Sequence, residues 1–348
     1  MPKKLVCVAP RKLEFHEYAD PKLKAGEFRV RAEFGAAKHG TELSGYKGYG
    51  FERGRYDREL QVFKTENTNP AGGYPFSLGN MVVGSVAEVG PEVTKFAVGE
   101  RVLCYGGFAQ THMKNENGGI FEGAWKLPKN VPWQSAVCMD PLDFAVGAVR
   151  DGNIRVGDAV AVLGLGAIGL LCIQVAKLSG AHPIIAVDML ANRLEIAKAL
   201  GADIVLDPSK CDAGIEIKKA TRNRGADVVI EYSGSRQALQ TSLRGVAFGG
   251  TVVAGAYPPP YTAGLDFGAE SHMNIPNIVF SRACSEPNRE HPRWDNTRIY
   301  DVCWRLIQEG KIAGEQIVQP VVPFSELNAE YPKIETDPAT NVKLGAKF

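Results

Sequence analysis

The chain has 348 residues, 45% of them hydrophobic and 23% charged, the balance of an ordinary soluble globular protein long enough for two domains. Its 40 basic and 39 acidic residues leave a net charge of +1, which excludes the long-range field that draws a protein to nucleic acid or anionic lipid; a small molecule is the expected partner. No window approaches 18 uninterrupted apolar residues, no signal-peptide core follows the two early lysines, and the seven cysteines are scattered without a C-x-x-C pair, so a cytoplasmic protein with reduced thiols is expected.

Taken in order, residues 4–140 read as a β-rich domain. Short alternating or apolar runs at 4–9, 27–36, 82–89 and 101–105 are separated by Pro and Gly turns. Residues 45–75 are different: glycine-rich, aromatic and charged, with no sustained apolar period. A stretch of that kind predicts a loop over a substrate pocket, and Tyr46, Tyr49, Arg53, Arg55 and Arg58 in it suit a polar ligand.

From residue 146 to 284 strand and helix patterns alternate, the mark of a doubly wound parallel sheet in an α/β fold. The apolar run 159–163 predicts a strand buried on both faces, and Gly164, Gly166 and Gly169 follow it in G-x-G-x-x-G spacing. The first glycine permits a tight turn, the second lets the backbone approach a pyrophosphate, and the third lets the next helix pack on its strand. Gly166, Ala167 and Ile168 then open that helix, where free N–H groups and the dipole favour anions. A second strand at 183–187 ends on Asp188, a carboxylate placed to accept from an adenosine ribose and to repel a 2′-phosphate, which predicts NAD over NADP. Arg193, on the following helix, can cover the adenine. Ser233, Gly255 and Ala256 end two later strands and are expected on the nicotinamide half of the cofactor. One more strand is expected at 278–283. Past residue 287 come a polar loop, a helix at 298–309 and two strands at 318–322 and 341–346.

The run GLGAIG at 164–169, GADIVL at 201–206, GGTVV at 249–253 and NVKL at 341–344 resemble the medium-chain dehydrogenase/reductase family, which includes the zinc alcohol, sorbitol and threonine dehydrogenases. The resemblance implies a GroES-like β-rich catalytic domain over 1–145, a Rossmann NAD-binding domain over 146–286, and a return to the catalytic domain over 287–348. It also implies a homodimer or homotetramer paired through the strand at 278–283.

The family's zinc signature is altered. Its positions read His39-Gly40-Thr41-Glu42, Gly79-Asn80-Met81 and Asp140, and the four-cysteine structural lobe is missing, so no bound metal is expected. Without a Lewis acid a general base must take the hydroxyl proton. The resemblance places Thr41 at a relay hydroxyl and His39 at a ligand position facing the substrate, and an extended backbone would put both on one face. Glu42 would flank them, Asp140 would orient the imidazole, Phe144 would pack on the nicotinamide, and Arg293 and Trp294 would line the pocket. The expected function is an NAD-dependent oxidoreductase moving hydride between nicotinamide and the secondary alcohol or ketone of a sugar, polyol or cyclitol. The alternatives are an NAD(P)H-dependent enone or quinone reductase, a dehydrogenase of a bacteriochlorophyll precursor, and a non-catalytic NAD-binding protein.

Overall fold

The computed structural model describes residues 1–51, 53–64, 73–282 and 285–348. They form two compact units, Met1–Val137 with Val318–Phe348, and Cys138–Ile317.

The first unit opens with β1 (Lys3–Ala9), β2 (Lys12–Glu17), β3 (Glu27–Ala36) and a short helix α1 (His39–Lys47). The expected loop contains a small antiparallel hairpin, β4 (Arg55–Asp57) with β5 (Val62–Lys64); its residues 52 and 65–72 lie outside the described residues. There follow β6 (Phe76–Ser77), β7 (Met81–Val89), β8 (Arg101–Tyr105), β9 (Thr111–Asn115), β10 (Trp125–Lys126) and the single turn α2 (Trp133–Ala136).

The second unit begins with α3 (Met139–Asp151) and then alternates: β11 (Val160–Leu163), α4 (Ala167–Leu178), β12 (Ile184–Val187), α5 (Ala191–Leu200), β13 (Ile204–Leu206), α6 (Ala213–Ala220). It continues through β14 (Ala226–Glu231), α7 (Arg236–Gly245), β15 (Val246–Ala254), α8 (Glu270–Asn274), β16 (Asn277–Phe280) and α9 (Asn296–Gln308). The return to the first unit holds β17 (Val321–Pro323), α10 (Leu327–Glu330), α11 (Lys333–Thr336) and β18 (Gly345–Lys347).

All six strands of the second unit's sheet are parallel, in the order β13-β12-β11-β14-β15-β16. The order reverses between β11 and β14, so their carboxyl ends form the switch point at which such sheets take ligands. The four residues of β11 and the four of β12 are buried throughout, as expected of strands covered by helices on both faces. The last strand ends at Phe280 rather than 283; residues 283 and 284 lie outside the described residues.

In the first unit one sheet runs β10-β8-β7-β3-β18-β17, with β9 also pairing β3. β18 from the return segment lies beside β3, and its core mixes Leu5, Tyr46, Leu78 and Phe108 with Leu327, Tyr331 and Leu344. The return is therefore built into this core, and it starts at Val318 rather than at 287. Residues 287–317 stay in the second unit because the buried face of α9, Ile299, Tyr300, Cys303 and Ile307, packs against α3. Residue 145, the expected boundary, falls inside α3.

Candidate active site

In the second unit the three glycines of the β11–α4 turn do different things. Gly164 sits at φ +88°, and a Cβ there would lie 2.4 Å from the Ser233 backbone nitrogen. A Cβ on Gly169 would lie 2.0 Å from the Gly164 carbonyl oxygen, so this residue sets how closely α4 approaches the turn. A Cβ on Gly166 would meet nothing within 4 Å. Gly166 is also the N-cap of α4 and offers no capping side chain, so the first N–H groups of the helix, at Ala167 and Ile168, border open space. This is the arrangement that receives a phosphate.

Asp188, at the tip of β12, holds the turn from the side. Its carboxylate accepts from the Leu165 N–H at 2.8 Å and the Leu190 N–H at 2.9 Å. Each oxygen keeps a further lone-pair direction for a ribose hydroxyl. Arg193 lies close enough for Asp188 to favour its charged form, while burial lowers its pKa.

At the next strand end the buried Glu231 organises the turn into α7. Its Oε1 accepts from the Ser233 N–H (2.7 Å), the Ser233 hydroxyl and the Gly234 N–H (3.0 Å); burial raises its pKa against those donors. The Gly255 N–H donates to the Glu231 carbonyl at 3.0 Å, and a Cβ on Gly255 would run into the Tyr232 ring at 2.3 Å. Ser233 and Gly255 are thereby brought together at the carboxyl ends of β14 and β15, with Ala256 next in the chain. Glu231 is a residue the sequence reading passed over; its position as the last residue of a parallel strand, like Asp188, was the available signal.

The first unit's cluster centres on α1, and here one expectation is corrected. Residues 39–47 are helical, not extended, so His39 and Thr41 lie about 200° apart around the axis rather than on one face. The cause is Glu42: its Oε1 takes the Lys38 N–H at 2.8 Å and its own N–H donates to the Lys38 carbonyl at 3.0 Å, closing the first turn. Gly48, at φ +98°, ends the helix with its N–H shared between the Ser44 and Gly45 carbonyls.

Glu42 is buried, and the Tyr331 hydroxyl donates to its Oε2 at 2.9 Å. Burial pushes the carboxyl's pKa up; the Lys38 and Gly79 N–H groups, Tyr331 and the charge of Lys343 act the other way. Lys343 is also buried, its Nζ donating to the Ala37 carbonyl at 2.6 Å. Thr41 is exposed on the first turn. The Leu344 N–H donates to His39 Nε2 at 2.9 Å, so that lone pair is occupied and a neutral ring carries its proton on Nδ1. In this geometry His39 accepts through Nε2 and keeps Nδ1–H as a donor, so a general-base role through Nε2 would first require the Leu344 bond to open.

One further expectation moves. Tyr46, expected at a ligand, is a core residue only 2% exposed, edge-on to Tyr331. Trp294 is sandwiched between the guanidinium groups of Arg150 and Arg298, 3.3 and 4.1 Å from its ring centre, and Arg293 pairs with Glu290 at 3.1 Å. Phe144 takes the Tyr232 hydroxyl on its carbonyl at 3.2 Å. Asp140 is buried in the first turn of α3, in the second unit.

The positions that the family resemblance assigns to zinc hold an imidazole already engaged through Nε2, the Asn80 amide and the Asp140 carboxylate. No group of three or more His, Cys, Asp or Glu that could hold a metal ion occurs among the described residues. This donor set does not fit a zinc ion, which takes three strong ligands and keeps one position open. Among the described residues no helix is long and apolar enough to cross a membrane.

Two protein families match the chain: the alcohol dehydrogenase GroES-like domain over residues 54–141 and the zinc-binding dehydrogenase family over residues 167–284. The D-guloside 3-dehydrogenase of Escherichia coli K12 is 43% identical over 351 residues, covering 99% of this chain and all of that one. The crystal structure of 2R,3R-butanediol dehydrogenase from Bacillus subtilis superposes with a TM-score of 0.79 at 22% identity, covering 100% of both chains. An alcohol dehydrogenase from Escherichia coli CFT073, solved with NADH, gives a TM-score of 0.76 at 21% identity over 100% of this chain and 99% of that one.

Proposed function

Because the chain belongs to the zinc-type medium-chain dehydrogenase family, we propose that it is an NAD-dependent dehydrogenase of a sugar derivative that works without zinc. Its substrate in this reading is the secondary alcohol of a polar ring, first of all the C3 hydroxyl of a glycoside, with the corresponding ketone as product. The observation that carries the cofactor assignment is the β11–α4 turn, in which Gly164 and Gly169 have no room for a side chain while Gly166 faces open space. The substrate class is supported by the D-guloside 3-dehydrogenase, similar along the whole chain.

Bound nicotinamide supplies the hydride acceptor; the rest falls to the chain. The Gly166, Ala167 and Ile168 N–H groups hold the pyrophosphate at the start of α4. Asp188 accepts from the adenosine ribose and repels a 2′-phosphate, and Arg193 covers the adenine side. Ser233, Gly255 and Ala256 border the nicotinamide half, on a turn fixed by Glu231. His39 gives its Nδ1–H to the reacting oxygen and stabilises the alkoxide left when the hydroxyl proton departs. The hydroxyl proton leaves to water, and Glu42 and Tyr331 hold the first turn of α1, with His39 on it, in shape.

A panel of glycosides, polyols and simple aliphatic alcohols, assayed for formation of reduced cofactor with NAD and with NADP, tests the reading. Turnover of glycosides with NAD is the expected result. Activity confined to aliphatic alcohols would remove the substrate assignment, and a preference for NADP would remove the role of Asp188. Zinc content measured on the active enzyme decides the metal: about one tightly held zinc per chain would overturn that part. His39→Ala should lower kcat about 100-fold or more, the cost typical of losing a donor to a developing oxyanion, and His39→Asn should recover part of it.

A further inference from the structure

We propose that Asn80 is a substrate-positioning residue whose side-chain amide grips two neighbouring hydroxyls of the sugar ring, the reacting one and the one beside it. This rests on the sugar dehydrogenase reading above and names the group that would read the substrate's diol. Among the described residues Asn80 is the only side-chain amide with both its polar atoms, Nδ2 and Oδ1, buried and lacking a hydrogen-bond partner. A buried amide in that state is uncommon, because donor and acceptor have both given up water and received nothing for it. Such a group is explained if a ligand completes it.

The backbone around Asn80 is fixed on both sides. Its N–H donates to the Ala36 carbonyl at 3.1 Å and its carbonyl accepts from the Gly106 N–H at 2.9 Å. The preceding Gly79 stands at φ +84°, where a Cβ would lie 2.7 Å from the Phe108 nitrogen, and its N–H helps to hold the Glu42 carboxylate. Ala36 ends β3, three residues before His39. Asn80 is thus tied by backbone and by Glu42 to the first turn of α1, which carries His39 and Thr41.

An amide presents one donor edge and one acceptor edge side by side, matching a vicinal diol. Nδ2–H donates to the reacting oxygen, which accepts equally as hydroxyl and as ketone. Oδ1 accepts from the adjacent hydroxyl, which the reaction leaves intact. Oδ1 thus holds alcohol and ketone alike through the neighbouring hydroxyl, while Nδ2–H gains on the alkoxide between them, so removal of the amide is expected to raise KM and lower kcat together.

The test compares wild type with Asn80→Leu, an apolar side chain of similar size, and Asn80→Asp, which keeps the acceptor and loses the donor. Turnover of a methyl D-guloside and of its 2-deoxy and 4-deoxy analogues is measured, with NADH affinity and the melting temperature. The expected result is a fall in kcat/KM of about 100-fold for Asn80→Leu, shared between KM and kcat, with NADH affinity kept and the melting temperature equal or higher. Asn80→Asp should fall between the two. With one of the two deoxy analogues, the one that lacks the gripped hydroxyl, the penalty of Asn80→Leu should shrink to about tenfold or less. Variants as active as wild type, a drop in melting temperature together with lost NADH affinity, or the same penalty on all three sugars would each overturn the role of Asn80 while leaving the sugar reading standing. Failure of wild type on every sugar would overturn both.

Discussion

Asp188 ties Leu165 to Leu190 through two backbone hydrogen bonds, and in the reading proposed above the same carboxylate also selects the cofactor. Asp188→Ala should raise KM for NAD by about tenfold or more, a change of roughly 1.4 kcal/mol per decade, and narrow the preference over NADP; initial rates with both cofactors measure it. Asp188→Asn, which keeps an acceptor, should retain more NAD binding. A second residue governs acid sensitivity. Burial lowers the pKa of His112 to about 4, with Lys114 adding to the effect, and its Nε2 lies 3.0 Å from the Ala109 carbonyl. Between pH 6.5 and about 4 the unfolded chain binds this proton and the folded chain does not, so stability falls as pH drops through that window and is fully present above it. His112→Gln should flatten that part of a melting-temperature profile; an unchanged slope would discard the assignment. The glycine turn and the place of Asp188 at a strand end were legible in the sequence because both follow from spacing along one βαβ unit. The Leu344–His39 and Tyr331–Glu42 bonds were not, since their partners stand 305 and 289 residues apart and no local pattern announces them.

Among elements, the strands and helices of the second unit were legible because apolar period and turn residues agree from β11 to β15. α1 was not: its sequence HGTELSGYK has two glycines and no apolar stripe, and what makes it helical is Glu42 reaching back to the Lys38 N–H. The turn between β14 and α7 depends on a single carboxylate in a similar way. Glu231→Ala would leave the Ser233 and Gly234 donors without their acceptor and should cost about 1–2 kcal/mol, because the turn is partly open to water. Glu231→Gln, which keeps an oxygen in place, should cost less than half of that. Thermal unfolding compares the two, and equal losses would mean that the turn is held by something other than Oε1.

For the molecule as a whole, the sequence made the α/β class and the parallel sheet legible, but not the place of α9. Its buried face, Ile299, Tyr300, Cys303 and Ile307, reads equally well against either unit, and only the packing on α3 decides. Residues 138–317 hold a core cluster of their own, drawn from β11, β12, β14 and β15 with α6 and α7. That segment, expressed alone, should unfold cooperatively and still bind NADH, which calorimetry and cofactor fluorescence can follow; a fragment that stays unfolded would show that the unit needs its neighbour. The other unit is assembled differently, from two stretches that the second unit separates. During synthesis the dinucleotide-binding half can mature as soon as its continuous stretch has left the ribosome. The half bearing His39 must wait for Tyr331 and Leu344, so a chain interrupted late in translation would bind nucleotide yet remain chemically idle.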